Sequence, residues 1–161
     1  MRARLSWRAA AVGLVIVALL AVAAERGLAW RDQRDRGADE KAVVAAAQAE
    51  VEGLIDISGS TSEDDMARLL DGATADFRKE LESQADRLRK ALADNAVEAT
   101  GEAVSSGVVR LDGDRATVIV AAVGTVTNKQ TEAPEPRNYR LKVDLLKTDD
   151  AWLVSGLEFV S

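Results

Sequence analysis

After eight residues the chain enters an uninterrupted apolar run, and it then changes its hydrophobic period twice. From Ala9 to Ala24 it reads AAAVGLVIVALLAVAA, sixteen residues without a charge, which as a helix extends about 24 Å at roughly 1.5 Å per residue. No face of this run is polar, so it suits lipid and not the surface of a water-soluble domain. Trp7 and Trp30 bracket it at positions where indole rings favour the membrane–water interface. Arg8 can snorkel on one side, and Leu28 and Ala29 lengthen the apolar reach on the other. These features predict a membrane anchor over residues 9–30.

After the anchor the pattern becomes that of amphipathic helices. Val43, Val44, Ala47, Val51, Leu54 and Ile55 recur at helical spacing, with Glu40, Gln48 and Glu52 elsewhere on the turn, which predicts a first helix ending near Gly59. Ser58-Gly59-Ser60-Thr61 breaks it. Ser62 followed by Asp65 is a helix-start signal, and Glu63, Asp64 and Asp65 suit the positive end of the helix dipole; Met66, Leu69 and Leu70 are the apolar stripe, and Gly72 ends this short second helix. Thr74 then caps a third, in which Phe77, Leu81, Gln84, Leu88 and Leu92 form a stripe expected to face the core.

Past Asn95 the helical period gives way to alternation, predicting four strands. The first runs from about Val97 to Leu111 and turns at Asp112-Gly113-Asp114; the second, Arg115 to Asn128, is apolar on parts of both faces and belongs inside a sheet. Lys129 to Pro136 reads as a loop. Tyr139, Leu141, Val143 and Leu145 alternate with Arg140, Lys142 and Asp144, and Thr148-Asp149-Asp150 turns the chain into a last strand from Ala151 to Ser161. Helices followed by short-linked strands predict an α+β fold, with the helices packed on one face of an antiparallel meander.

Charge decides the orientation. The net charge is -6, and Arg2, Arg4 and Arg8 contribute +3 ahead of the anchor, leaving -9 for the rest. By the positive-inside rule residues 1–8 stay in the cytoplasm, and residues 31–161 form a domain on the far side. Ala21-Val22-Ala23 offers a signal-peptidase pattern as a rival, but the apolar run is long for a signal core and the residues after it remain helix-compatible. An acidic domain with no basic stripe repels phosphate backbones, so nucleic acid is not an expected partner. Cysteine and histidine are both absent, which removes thiolate and imidazole chemistry and the usual ligands of zinc. No cofactor or metal is expected.

Four stretches carry a resemblance: LIDISGSTSEDDMARLLDGATADFR from Leu54 to Arg78, LDGDRATVIVAA from Leu111 to Ala122, VTN from Val126 to Asn128, and EPRNYRLKVDLLKTDDAWLVSGLEFV from Glu135 to Val160. In this order, behind an anchor, they resemble the actinobacterial Mce-associated membrane proteins, companions of the mammalian-cell-entry lipid transporters. The resemblance implies a cone-shaped domain similar to nuclear transport factor 2, three helices packed on a curved four-stranded antiparallel sheet, on a membrane tether. It also implies an accessory role in a Mce complex that moves lipids or sterols through the cell envelope, with other envelope membrane proteins as partners.

Candidate residues divide accordingly. Arg2, Arg4, Trp7, Arg8 and Trp30 are the anchoring set, and Tyr139, Trp152, Leu157 and Phe159 are the candidates for contact with a partner or a lipid. Strand alternation places Asp144 opposite Tyr139, which separates the carboxylate from the tyrosine an enzyme of this fold would pair. Asp112-Gly113-Asp114 and Asp149-Asp150 have too few oxygens for calcium and read as turns. The leading expectation is thus a non-enzymatic tethered scaffold. A lipid-binding domain would need an apolar cavity of at least about 300 Å³, and an enzyme a buried, pKa-shifted acid facing a pocket. An assembly factor of type IV secretion, with a similar cone on a similar tether, is the further alternative.

Overall fold

The computed structural model describes residues 34, 36–56, 63–131 and 133–160. The anchor at 9–30, and with it Arg2, Arg4, Trp7, Arg8 and Trp30, lies outside them. Among the described residues no helix is long and apolar enough to cross a membrane. Residues 36–55 are helical and are called α1; α2 is Glu63–Asp71 and α3 is Ala75–Asp94. Four strands follow: β1 Glu98–Asp112, β2 Arg115–Thr127, β3 Glu135–Thr148 and β4 Ala151–Phe159. Glu40–Ser161 is one compact unit.

The strands pair antiparallel in the order β1-β2-β3-β4, a meander that short turns alone can build. Gly113 adopts φ 60° in the first turn, and Asp149 and Asp150 adopt φ 48° and 66° in the last, the left-handed conformations that two-residue hairpins require. The loop between β2 and β3 is organised by Asn128, whose Oδ1 accepts from the Gln130 N–H at 2.8 Å, while the Thr131 Oγ1 accepts from the Asn128 N–H at 2.8 Å. It is shorter than the sequence suggests, because Glu135 and Pro136 already pair with Val126 and Thr125. Proline is tolerated there because β4 joins β3 only from Leu141 onward, so Pro136 has no second neighbour to bond.

One face of the sheet carries the core. Ala116, Val118, Val120 and Ala122 of β2, Leu141, Val143 and Leu145 of β3, and Trp152 and Val154 of β4 meet Val43, Ala47, Val51 and Ile55 of α1. Val43, Ala47, Val51, Val118, Val120, Leu141 and Val143 are wholly buried, each valine or leucine contributing roughly 1.5–3 kcal/mol. The close approach depends on Gly101: a Cβ there would stand 2.6 Å from Ile55 Cδ1. Glu52 ties the same end of α1 to β1, its Oε1 accepting from the Ala103 N–H at 3.0 Å. The other face mixes the apolar Ile119, Leu146 and Leu153 with polar pairs, Thr117 donating to Asp144 at 2.7 Å and Lys142 paired to Glu158 at 2.8 Å.

The third helix corrects one expectation. None of its residues is buried; Phe77 reaches the core, but Gln84 is exposed and Leu88 is 40% exposed. The sheet's inner face is already taken by α1, so α3 is held mainly at its ends. At its start the Thr74 N–H donates to Val154 O at 2.8 Å, and no side-chain cap forms. At its end the Lys129 N–H and Nζ donate to Asn95 O and Asp94 O at 3.0 and 2.6 Å. The Val97 N–H reaches back to Leu92 O at 2.9 Å, with Ala96 left-handed at φ 47°, the closing pattern of a Schellman motif normally served by glycine.

Candidate functional site

Two places in the compact unit concentrate features that packing does not use up. The first lies where β3 begins and β4 ends. Strict alternation along β4 would send Trp152 to one face and Leu157 and Phe159 to the other. The register shifts between Asp144 and Leu145, leaving Ser155 as an extra residue whose Oγ donates to Asp144 O at 3.1 Å. Beyond this bulge Leu157 faces Val143 and Phe159 faces Leu141, on the side that Trp152 and Val154 also face. One irregular residue therefore brings Trp152, Val154, Leu157 and Phe159 all to the inner face.

They do not share one environment. Trp152 is 7% exposed, sits in the core and has Lys147 Nζ 5.6 Å from its ring centroid. Leu157 and Tyr139 pack partly against the core, whereas Phe159 is 63% exposed and lies 6.1 Å from the Tyr139 ring, centroid to centroid. Of the four candidates, Tyr139, Leu157 and Phe159 form an apolar patch, and Trp152 stands apart from it. Asp144 lies on the outer face with Thr117 and Lys142, away from Tyr139, as alternation requires.

The second place is a cleft of about 550 Å³ between α1, α2, β1 and β4, walled by Ala46, Ala49, Gly53, Leu69, Gly72, Gly101 and Trp152 and by the charged Glu50, Glu52, Asp56 and Arg68. Glu50 is its distinctive member. The residue is 5% exposed, and burial pushes its carboxyl up to about 7 from the ordinary 4.5, because leaving water disfavours the charged form. Gly72 makes room for it, since a Cβ at 72 would collide with Glu50 Oε2. Gly72 is itself fixed by the Val154 N–H, which donates to its carbonyl at 2.8 Å.

Glu50 is the site residue that the hydrophobic pattern did not bring out. A signal for it exists: position 50 is seven residues after Val43 and three after Ala47, which puts an acid on the buried stripe of α1. It has what an enzyme would require, a buried and shifted acid facing a pocket. The described residues lining the cleft with it contribute no hydroxyl, thiol or imidazole, and among the described residues no three acids group to hold a metal ion.

Comparison with known proteins supports the fold and places the chain in a family. CagV, a VirB8 homolog of the type IV secretion system of Helicobacter pylori strain 26695, superposes with a TM-score of 0.58 at 13% identity, over 76% of this chain and 98% of that one. An IcmL-like type IV secretion system protein from Legionella pneumophila gives 0.56 at 13% identity, over 72% and 88%. At such identity the likeness is one of fold alone. In sequence, the Mycobacterium tuberculosis (strain ATCC 25618 / H37Rv) protein described as uncharacterized protein Rv1363c is 28% identical over 136 residues, 83% of this chain and 52% of the relative. The chain thus spans about half the length of the curated relative it matches. Residues 5–161 match the family described as uncharacterized protein Rv1363c/MT1408-like, and with nearly the whole sequence inside that match, the chain belongs to this family.

Proposed function

We propose that the chain is a non-enzymatic accessory or scaffold protein. In this reading residues 9–30 hold it in the cell membrane with residues 1–8 in the cytoplasm, and the α+β domain stands outside, serving a Mce-type lipid or sterol import complex. The observation that carries the reading is the division of labour on the sheet's inner face. Its middle is filled by α1, while its end leaves Phe159 largely bare beside Tyr139 and Leu157, the composition of a contact patch for another protein. The sequence resemblance to Mce-associated proteins supplies the type of complex. Fold likeness to VirB8-type proteins favours a second reading, assembly factor of a secretion system.

A lipid ligand is less well supported. The cleft is large enough, but four charged residues line it, and an acyl chain or sterol ring favours apolar walls. As for catalysis, the described residues lining the cleft with Glu50 add no hydroxyl, thiol or imidazole, only the acids Glu52, which is engaged with β1, and Asp56. The test is a pull-down of the full-length tagged protein from gently solubilised native membranes. Recovery of Mce subunits or their permease, lost in Phe159→Ser with the fold intact, is the expected result. Recovery of secretion-channel proteins instead selects the second reading, and recovery of the protein alone with bound lipid overturns both.

A further inference from the structure

Glu50 has no task in a docking role. It is 5% exposed, and among the described residues nothing donates a hydrogen bond to its carboxylate or pairs with it. A buried acid left this way is costly, and proteins ordinarily supply it with a donor or a counter-charge. The space beside it is open: Glu50 lines the cleft of about 550 Å³ together with Ala46, Ala49, Gly53, Leu69 and Trp152. We propose that this cleft binds an organic cation, a primary ammonium or guanidinium group, which meets the Glu50 carboxylate while its apolar stem lies against Ala49, Leu69 and Trp152.

The surroundings fit that chemistry. Glu52 from α1, Asp56 just past its end and Arg68 from α2 are the other charged groups lining the cleft, a net negative balance that draws cations. A metal ion fits poorly, because calcium and magnesium take six or more oxygens and the described acids do not cluster in that way. A single buried carboxylate with an indole in the wall instead suits one monovalent charge on a hydrocarbon stem. Burial pushes the Glu50 carboxyl up to about 7, so the cation competes with a proton and binding strengthens as pH rises through that value.

The test uses the full-length protein with Trp7→Phe and Trp30→Phe, so that Trp152 fluorescence reports on the cleft. Titration with n-butylammonium and with methylguanidinium is expected to give saturable changes, about tenfold tighter at pH 8 than at pH 6 given a carboxyl near 7. Glu50→Gln should weaken binding by roughly tenfold or more and abolish that pH dependence. Ala49→Met narrows the cleft from an exposed position and leaves Glu50 in place; it should also weaken binding, which keeps the test decisive if Glu50→Gln misfolds. A short lysine peptide, acetyl-Ala-Lys-Ala-amide, separates sources: tighter binding than butylammonium points to a basic side chain of a protein, equal binding to a free amine. No saturable change with any probe, or equal affinity in Glu50→Gln or Ala49→Met, overturns the proposal and leaves the accessory role untouched.

Discussion

α1 and α3 are both amphipathic, and the structure treats them in opposite ways. In α1, Val43, Ala47 and Val51 lose all contact with solvent; in α3 no residue is buried and Leu88 stays 40% exposed. The side chains differ in kind as well. Short valines and alanines let α1 come close to a sheet whose Gly101 yields to Ile55, whereas α3 offers phenylalanine and leucines after that face is filled. Its polar side carries exposed ion pairs one turn apart, Lys79 with Asp76, Arg89 with Asp86 and Lys90 with Asp94, which stabilise an isolated helix slightly. Periodicity therefore tells which side of a helix turns inward. How deeply that side is buried depends on what already lies against the sheet.

This contrast can be broken at several points. Ile55→Ala empties the contact with Gly101 and should cost about 2–5 kcal/mol in urea unfolding; a loss under about 1 kcal/mol would mean that α1 is not the core helix. Glu50→Gln should act in the opposite direction and only at high pH. The carboxyl titrates at about 7 in the folded chain against an ordinary 4.5, so the native state is favoured below 4.5 and loses that advantage as pH rises through 7. Glutamine cannot ionise, and the variant should gain roughly 3 kcal/mol at pH 8 and nothing at pH 4, read as a Tm difference that disappears on acidification. On the other helix, Ala96→Gly relieves a left-handed alanine and should stabilise by about 1 kcal/mol. Leu88→Ala should change stability by less than about 0.5 kcal/mol; a loss of about 2 kcal/mol or more would show that α3 is covered in the full-length protein.

Much of the fold was legible because its signals are local. The turns at Gly113 and Asp149-Asp150 and the strand edges around them arise from residues that favour left-handed backbone or terminate alternation. The alternation of β3 assigned Asp144 to the outer face and Leu141 and Val143 to the core, as observed. What the sequence hid is non-local. The Ser155 bulge changes the parity of β4 through its register against β3, and no property of serine announces that. Pro136 reads as loop until its missing neighbour is known. Glu50 reads as one more surface acid until Gly72 and Trp152 close over α1, although its place in the Val43–Ala47–Val51 stripe was there to be read.

The edges of the sheet differ in how they are finished. Beside β4, Gly72 and Thr74 engage the backbone of Val154 on both its N–H and its carbonyl, so that margin is occupied by the chain itself. The margin at β1 is fifteen residues long, and the register shifts at Val104 and Val109, two valines that are 54% and 66% exposed. A long straight edge would invite strands from other molecules and be a starting point for aggregation. Two kinks a few residues apart leave an incoming strand no stretch longer than a few residues with which to stay in register. Resistance to runaway stacking is thereby written into the backbone of β1, at the two positions where its side chains alone would promote it.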